Sequence, residues 1–403
     1  MAPGKALLLS LAVVAAPLTA AQDRLDTIGE LDMRWVSAAG DLSWLNGGAG
    51  LLRFDPQHED LRLGHALLDS RLRLLDTVSA HVVAYAYDDH DRNFADLSEA
   101  YIEARPFPTD SIRWDVKAGA FHMPVSLENR GPGWTDVYTI TPSALNTWLG
   151  EEFRTIGAEV EARWLGASRG YLGDLALVGA VYRWNEQAGS LLADRGFGLS
   201  DRASTLFGGL GEPPFTFYHE VDDKTGYYGG LTWRHHDRLE LRVLRYDNRA
   251  DPGASTTTAY AWRTRFSSVG LRLEPDAAWT FILQLMDGDT ATSALATGPQ
   301  QFQMTYSTGF ALASTEWRGQ RFTARFDDFR TNQFSGLSGP PSDQVGHAWT
   351  LGWLHEFATG WQLAAEWIRV TSRFPPNVGY GVPPGVFESQ LQFSVRYRFH
   401  WRV

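Results

Sequence analysis

The feature that most constrains this chain is strict alternation. In "LQFSVRYRFHWRV", residues 391 to 403, Leu391, Phe393, Val395, Tyr397, Phe399, Trp401 and Val403 alternate with Gln392, Ser394, Arg396, Arg398, His400 and Arg402. Successive side chains on a strand point to opposite faces, so a period of two reads as a strand with one apolar face and one polar face. The same pattern recurs along the chain. Leu31, Met33 and Trp35 alternate with Asp32 and Arg34, and Ile112, Trp114, Val116 and Ala118 with Arg113, Asp115 and Lys117. Ile156 to Trp164 and Phe322 to Phe326 repeat it, with Arg163 and Arg325 on the polar side. Weaker runs elsewhere bring the expectation to about sixteen strands, with one more strand possible near 41 to 54. No helical stripe competes with them.

Proline- and glycine-rich stretches such as "GEPPF" (211 to 215), "GPPSD" (339 to 343) and "GVPPG" (381 to 385) separate the runs. Short connections such as "HHDR" (235 to 238) alternate with long ones near 122 to 150 and 185 to 222. Short turns at one end and long loops at the other are the habit of outer-membrane barrels. Hydrocarbon cannot hydrogen-bond to backbone, so a sheet in a membrane closes on itself, the last strand pairing with the first. The 52 aromatic residues (16 Trp, 14 Tyr and 22 Phe) supply the interfacial girdles of such a barrel.

The segment "MAPGKALLLSLAVVAAPLTA" carries one basic residue and an apolar run too short to span a bilayer. It reads as a signal peptide, 1 to 21, cleaved after Ala20 or Ala21, leaving a single barrel domain over 22 to 403 and predicting an outer-membrane location. The chain has no cysteine, which excludes disulfides, thiolate metal sites and a Cys nucleophile. A formal charge of −11 disfavours nucleic acid as a partner. Lys5, Lys117 and Lys224 are the only lysines among 36 basic residues, so nearly all positive charge is arginine.

Residues 117 to 164 read "KAGAFHMPVSLENRGPGWTDVYTITPSALNTWLGEEFRTIGAEVEARW". The phrases "GAF..P.SLE" and "TPSALNTWLGEE" resemble the phosphate- and polyphosphate-selective porin family of bacterial outer membranes. The resemblance implies an all-β transmembrane antiparallel barrel of about sixteen strands, homotrimeric, with an inward-folded constriction loop, here 122 to 150, and basic side chains that guide anions. One departure is the terminal Val403, where such proteins commonly end in Phe or Trp.

Parity places Arg34, Arg113, Lys117, Arg163, Arg325, Arg396 and Arg398 on the inner face, because an arginine facing mid-bilayer lipid costs about 2 to 4 kcal/mol. Arg130 joins them from the candidate constriction loop, with Glu128, Asp136, Glu151 and Glu152 as a facing acidic row that would set up a transverse field. Arg402, near the rim, is expected to meet the interface. The expected partners are small hydrophilic solutes, anions such as phosphate among them, together with outer-membrane lipid and lipopolysaccharide. The alternatives are a channel for hydrophobic or other specific organic solutes, or an outer-membrane hydrolase; no G-x-S-x-G elbow supports the latter. No catalytic residue, metal ligand or cofactor is assigned. "YDDHDRN" (87 to 93) is oxygen-rich but lacks the spacing of a calcium cage.

Overall fold

The computed structural model describes residues 24–403 apart from 90–93, 110, 213, 237, 294–301 and 336–339. The signal peptide at 1 to 21 lies outside the described residues. The strands are β1 (Leu25–Ala39), β2 (Asp60–Leu75), β3 (Val78–Ala86), β4 (Ala95–Ala104), β5 (Ile112–Phe121), β6 (Thr155–Trp164), β7 (Asp174–Arg183) and β8 (Gly226–His235). They continue as β9 (Leu239–Asp247), β10 (Arg263–Leu273), β11 (Trp279–Thr292), β12 (Phe302–Trp317), β13 (Gln320–Ser335), β14 (Gln344–Ala358), β15 (Trp361–Arg373) and β16 (Gly385–Arg402). Each pairs antiparallel with its sequence neighbour, and β16 pairs with β1 from Asp26 opposite Arg402 to Ala39 opposite Ser389, closing a sixteen-stranded barrel.

Closure satisfies the backbone, and alternation sorts the side chains. Trp35, Leu283, Leu285, Trp349, Leu351 and Phe393 are exposed on the outer face, while their strand neighbours Arg34, Gln284, Thr350 and Gln392 are buried. An apolar band of this extent, running around the whole barrel, is suited to hydrocarbon rather than water. Connections at one end are tight. Arg318 and Gly319 both take positive φ (52° and 73°), as a two-residue hairpin turn of the right twist demands. At the other end run the long connections 40–59, 122–154, 184–225, 248–262 and 374–384.

Two expectations need correction. Residues 41 to 54 are not a barrel strand. Gly47 at φ 81° turns this segment back on itself, and the backbone N–H groups of Leu51 and Leu52 donate to the Glu388 carboxylate on the inner face of β16. Its apolar residues face other inner segments, so their alternation reports packing inside the barrel rather than lipid. The interior is also less polar than a water-filled lumen. Tyr182, Tyr228, Tyr246, Phe266, Tyr306, Phe310 and Phe329, from β7 to β13, join Leu127, Trp148, Phe153 and Phe197 in one buried apolar cluster.

Candidate functional site

Two connections supply most of that inner packing. Within 122–154, Pro142 and Ser143 open a helix, α1 (Ala144–Glu152); Ser143 caps it by accepting from the Asn146 N–H at 3.2 Å. Every residue of α1 is buried. Carboxylates gather at its N-terminus, where the helix dipole favours them. Glu128 accepts from the Ser143 N–H (2.7 Å) and from Asn146 Nδ2 (2.7 Å), and Asp327 of β13 accepts from the Ala144 N–H at 3.0 Å. At its other end Glu151 pairs with Arg195, and Glu152 accepts from the N–H groups of Gly189 (2.9 Å) and Leu191 (2.6 Å). Those two amides open the short helix α2 (Ser190–Arg195), so one carboxylate ties the two connections together.

Arg325 of β13 is the central clamp. Its guanidinium bonds Asp327 (2.9 Å), Thr139 Oγ1 (3.0 Å) and the carbonyls of Thr141 (2.8 Å) and Pro142 (3.0 Å), and lies 3.6 Å from both Glu128 and Asp136. Farther round the wall, Glu366 of β15 accepts from the N–H groups of Ile140 and Thr141, and Gln284 of β11 donates to the Val125 carbonyl. The segment therefore leans on inward-facing side chains of β9 through β16. Burial pushes the Asp136 carboxyl up to about 8, with the Glu128 charge adding to it. Burial likewise lifts Glu151 to about 8 and Glu152 to about 7.

On the opposite side, against β1 to β3, arginines and carboxylates replace the aromatics. Arg34 bonds Asp32 (2.7 Å) and Asp201 (2.6 Å); Arg53 bonds Asp201 (3.1 Å) and Asp89 (3.0 Å); Arg202 pairs with Asp89 at 3.0 Å. Burial opposes ionisation of Asp201, but the Arg34 and Arg53 charges outweigh it and hold the carboxyl well below its usual range. Lower on this wall Arg396 bonds Asp32 (3.0 Å) and Arg398 bonds Glu30 (2.5 Å). Gly64 makes room for Arg34: a Cβ there would sit 2.4 Å from its Nε. Tyr85 and Tyr87 stack with rings 5.2 Å apart, and Arg202 lies 3.9 Å from the Tyr87 ring centre.

Three cavities follow this charged wall. One of about 50 Å³ at the long-loop end is lined by Arg53, Arg62, Asp88 and Asp89. The next, of about 40 Å³, is lined by His65, Tyr85, Tyr87, Asp201, Arg202 and Arg396 on one side and by residues 129–150 on the other. It has room for roughly three waters. Toward the tight turns a cavity of about 430 Å³ is lined by Asp136, Arg321, Gln362, Arg396 and Arg398. Arg53 and Asp201 join the first cavity to the second, and Arg396 joins the second to the third.

The residues singled out from sequence fall into three groups. Arg34, Arg396 and Arg398 stand on the charged wall, all in ion pairs. Lys117 bonds Glu159 (3.1 Å) and Arg163 bonds Glu161 (2.7 Å) within the wall itself, while Arg113 is exposed on β5 near the tight-turn end. Arg325 is wholly buried beneath 122–154, and Arg130 is exposed on that segment. The acidic row expected from Glu128, Asp136, Glu151 and Glu152 is buried, because each holds backbone amides or an arginine, and of these four Asp136 alone also borders the cavities along the charged wall. Arg402 bonds Asp26 (3.1 Å) on the inner row and does not turn to the interface. Arg53, Asp201 and Arg202 were not singled out from sequence, and Asp89 was marked only as part of the oxygen-rich "YDDHDRN". They lie on connections with no period, and only their charge inside apolar surroundings, as in "GLSDRAS", marks them.

No protein-family model and no curated relative matches the chain. Solved structures do. The outer membrane channel DcaP of Acinetobacter baumannii superposes with TM-score 0.54 at 11% identity, over 93% of this chain and 96% of that one. An anion-selective porin from Comamonas acidovorans gives 0.53 at 9% identity, over 94% and 100%. OmpT, an outer membrane protein of Vibrio cholerae, gives 0.52 at 10% identity, over 96% and 100%. At such identities the likeness is one of fold. The architecture is the closed sixteen-stranded barrel of outer-membrane porins and channels.

Proposed function

We propose that this protein is an outer-membrane porin through which small hydrophilic solutes diffuse, with a modest preference for anions, phosphate among them. The observation that carries the reading is a closed barrel, apolar outside, with a row of arginines along the cavities inside. The connection 122–154 acts as the constriction, held against β9 to β16 so that passage is confined to the β1 to β3 side. Arg34, Arg53, Arg202, Arg396 and Arg398 stand along this path with Asp32, Asp89, Asp201 and Glu30, and Arg62, Arg321, Asp88, Asp136, Glu316 and Glu356 also line its cavities. A charged constriction with low-dielectric walls sorts ions by sign. Arg113 and Arg130 add exposed positive charge, Lys117 and Arg163 are balanced by Glu159 and Glu161 within the wall, and Arg325 serves the constriction by fixing it. A homotrimer in contact with membrane lipid and lipopolysaccharide completes the proposal, and crosslinking of the detergent-extracted protein tests the stoichiometry.

The aromatic packing favours a second reading, a channel for specific organic solutes. A cavity with room for only roughly three waters passes few solutes freely, and Tyr85, Tyr87 and the arginines beside them suit a small organic anion. Planar-bilayer recording separates the two. A reversal potential in a potassium chloride gradient that shows chloride preference supports the porin. Negligible ion conductance, with current blocked by organic acids only, supports the specific channel, and cation preference removes the anion proposal.

A further inference from the structure

At the long-loop end, away from the charged wall, three carboxylates converge without a counter-ion. Glu186 stands at the start of the 184–225 connection, and Glu220 and Asp222 near its end. One oxygen of each lies within 4.8 Å of the others. Gln187 and His219 fix this approach: the Gln187 side chain donates to the His219 carbonyl (3.2 Å) and accepts from its N–H (3.1 Å), setting residues 186 and 220 side by side. Glu186 is 2% exposed, and its Oε2 is buried with no hydrogen-bond partner; Glu220 Oε2 is likewise without one. Among the described residues no arginine, lysine or histidine pairs with any of the three, although almost every other buried carboxylate in the molecule has a cation or several amides. An unpaired buried carboxylate beside two others is costly.

We propose that Glu186, Glu220 and Asp222 form a divalent-cation site that staples the two ends of the 184–225 connection to the neighbouring connection 248–262. The donors are all carboxylate oxygens, which select hard cations over zinc or copper. Calcium binds oxygen at about 2.3 to 2.6 Å, so two oxygens on one ion stand no more than about 5 Å apart, as these do. Glu220 and Asp222 are only partly buried, which leaves room for water to complete a flexible coordination shell. The third segment is already in place: Asp222 accepts from the Asp251 N–H, and the Glu186 carbonyl accepts from the Trp262 N–H at 2.6 Å. With the ion bound, the outer rim above β7 to β10 becomes one crosslinked unit.

The test uses full-length protein refolded into detergent free of lipopolysaccharide, stripped with chelator and titrated calorimetrically with calcium chloride or magnesium chloride. One saturable calcium site per chain is expected, with a dissociation constant of about 10⁻⁴ to 10⁻³ M as in extracellular calcium modules, and weaker magnesium binding. Glu186→Gln and Asp222→Asn should each weaken calcium binding by about tenfold or more while single-channel conductance persists, showing that the barrel is folded. Calcium should slow proteolysis within 184–225 in the parent protein and not in the variants; Glu220→Gln replaces either variant that fails to refold. No saturable uptake up to about 10 mM, well above that range, overturns the proposal. Unchanged titration in folded variants overturns it as well.

Discussion

The two sides of the barrel interior solve opposite problems. From β7 to β14 the wall is aromatic and aliphatic, and the connections 122–154 and 184–225 pack against it as a second layer. From β16 through β3 it is charged, and Arg34, Arg53, Asp201 and Arg202 meet across narrow water-sized spaces. Apolar packing holds a segment still; paired charge keeps a passage wet. A barrel with sixteen strands is too wide to be filled by wall side chains alone. Here the aromatic side narrows it and the charged side determines what is left.

The largest effect is expected at the joint between the two. Arg325→Met leaves Glu128, Asp136 and Asp327 buried without their cation, a loss of about 3 to 5 kcal/mol that is read as a lower urea midpoint in refolded protein. The same variant should raise single-channel conductance as 122–154 loosens. An unchanged midpoint and conductance would show that apolar packing alone fixes the segment. A step smaller, Leu285→Arg on the outer face should cost about 2 to 4 kcal/mol, since it sets a charge against hydrocarbon. Insertion efficiency into vesicles measures it, and normal insertion would reassign that face.

Acidity probes the aromatic side more gently. Glu151 and Glu152 have folded-state pKa values of about 8 and about 7, raised from 4.5. Groups raised on folding stabilise fully below their unfolded pKa, and that contribution is lost as pH rises through the folded one. The contacts of α1 should therefore weaken between about pH 5 and pH 8, lowering the urea midpoint, and Glu151→Gln should flatten the dependence. A midpoint that rises over this range would refute the assignment. The smallest expected effect is the most discriminating. Arg53→Gln, on the charged wall, should shift the reversal potential toward cations, while Lys117→Glu, paired within the wall beside Glu159, should change it little. Equal shifts would erase the distinction between wall and passage.

The barrel was legible because lipid imposes a period of two on every strand. Trp35, Trp114 and Phe393 alternate with charged or polar residues whatever lies inside. Parity alone set Arg34, Arg325 and Arg396 inward. It could not tell a wall residue from a buried clamp, because that depends on which connection lies against it. The helix α1 escaped notice although Pro142 and Ser143 announce its start, since a helix buried on every side has no polar face to give it a stripe. The motif "TPSALNTWLGEE" turned out to be scaffolding: Ser143, Glu151 and Glu152 hold the inner layer together. Asp201 and Arg53 were hidden because residues distant in sequence meet there through connections without periodicity.

The absence of native cysteine allows the division of the interior to be probed directly. Ala203 lines the cavity beside the charged wall, and Ala348 lies wholly buried within the aromatic side. Single-channel current is recorded from Ala203→Cys and Ala348→Cys while a charged thiosulfonate reagent is added. Conduction along the charged wall predicts a stepwise fall in current at Ala203→Cys and none at Ala348→Cys. Block at Ala348→Cys with no effect at Ala203→Cys would contradict it.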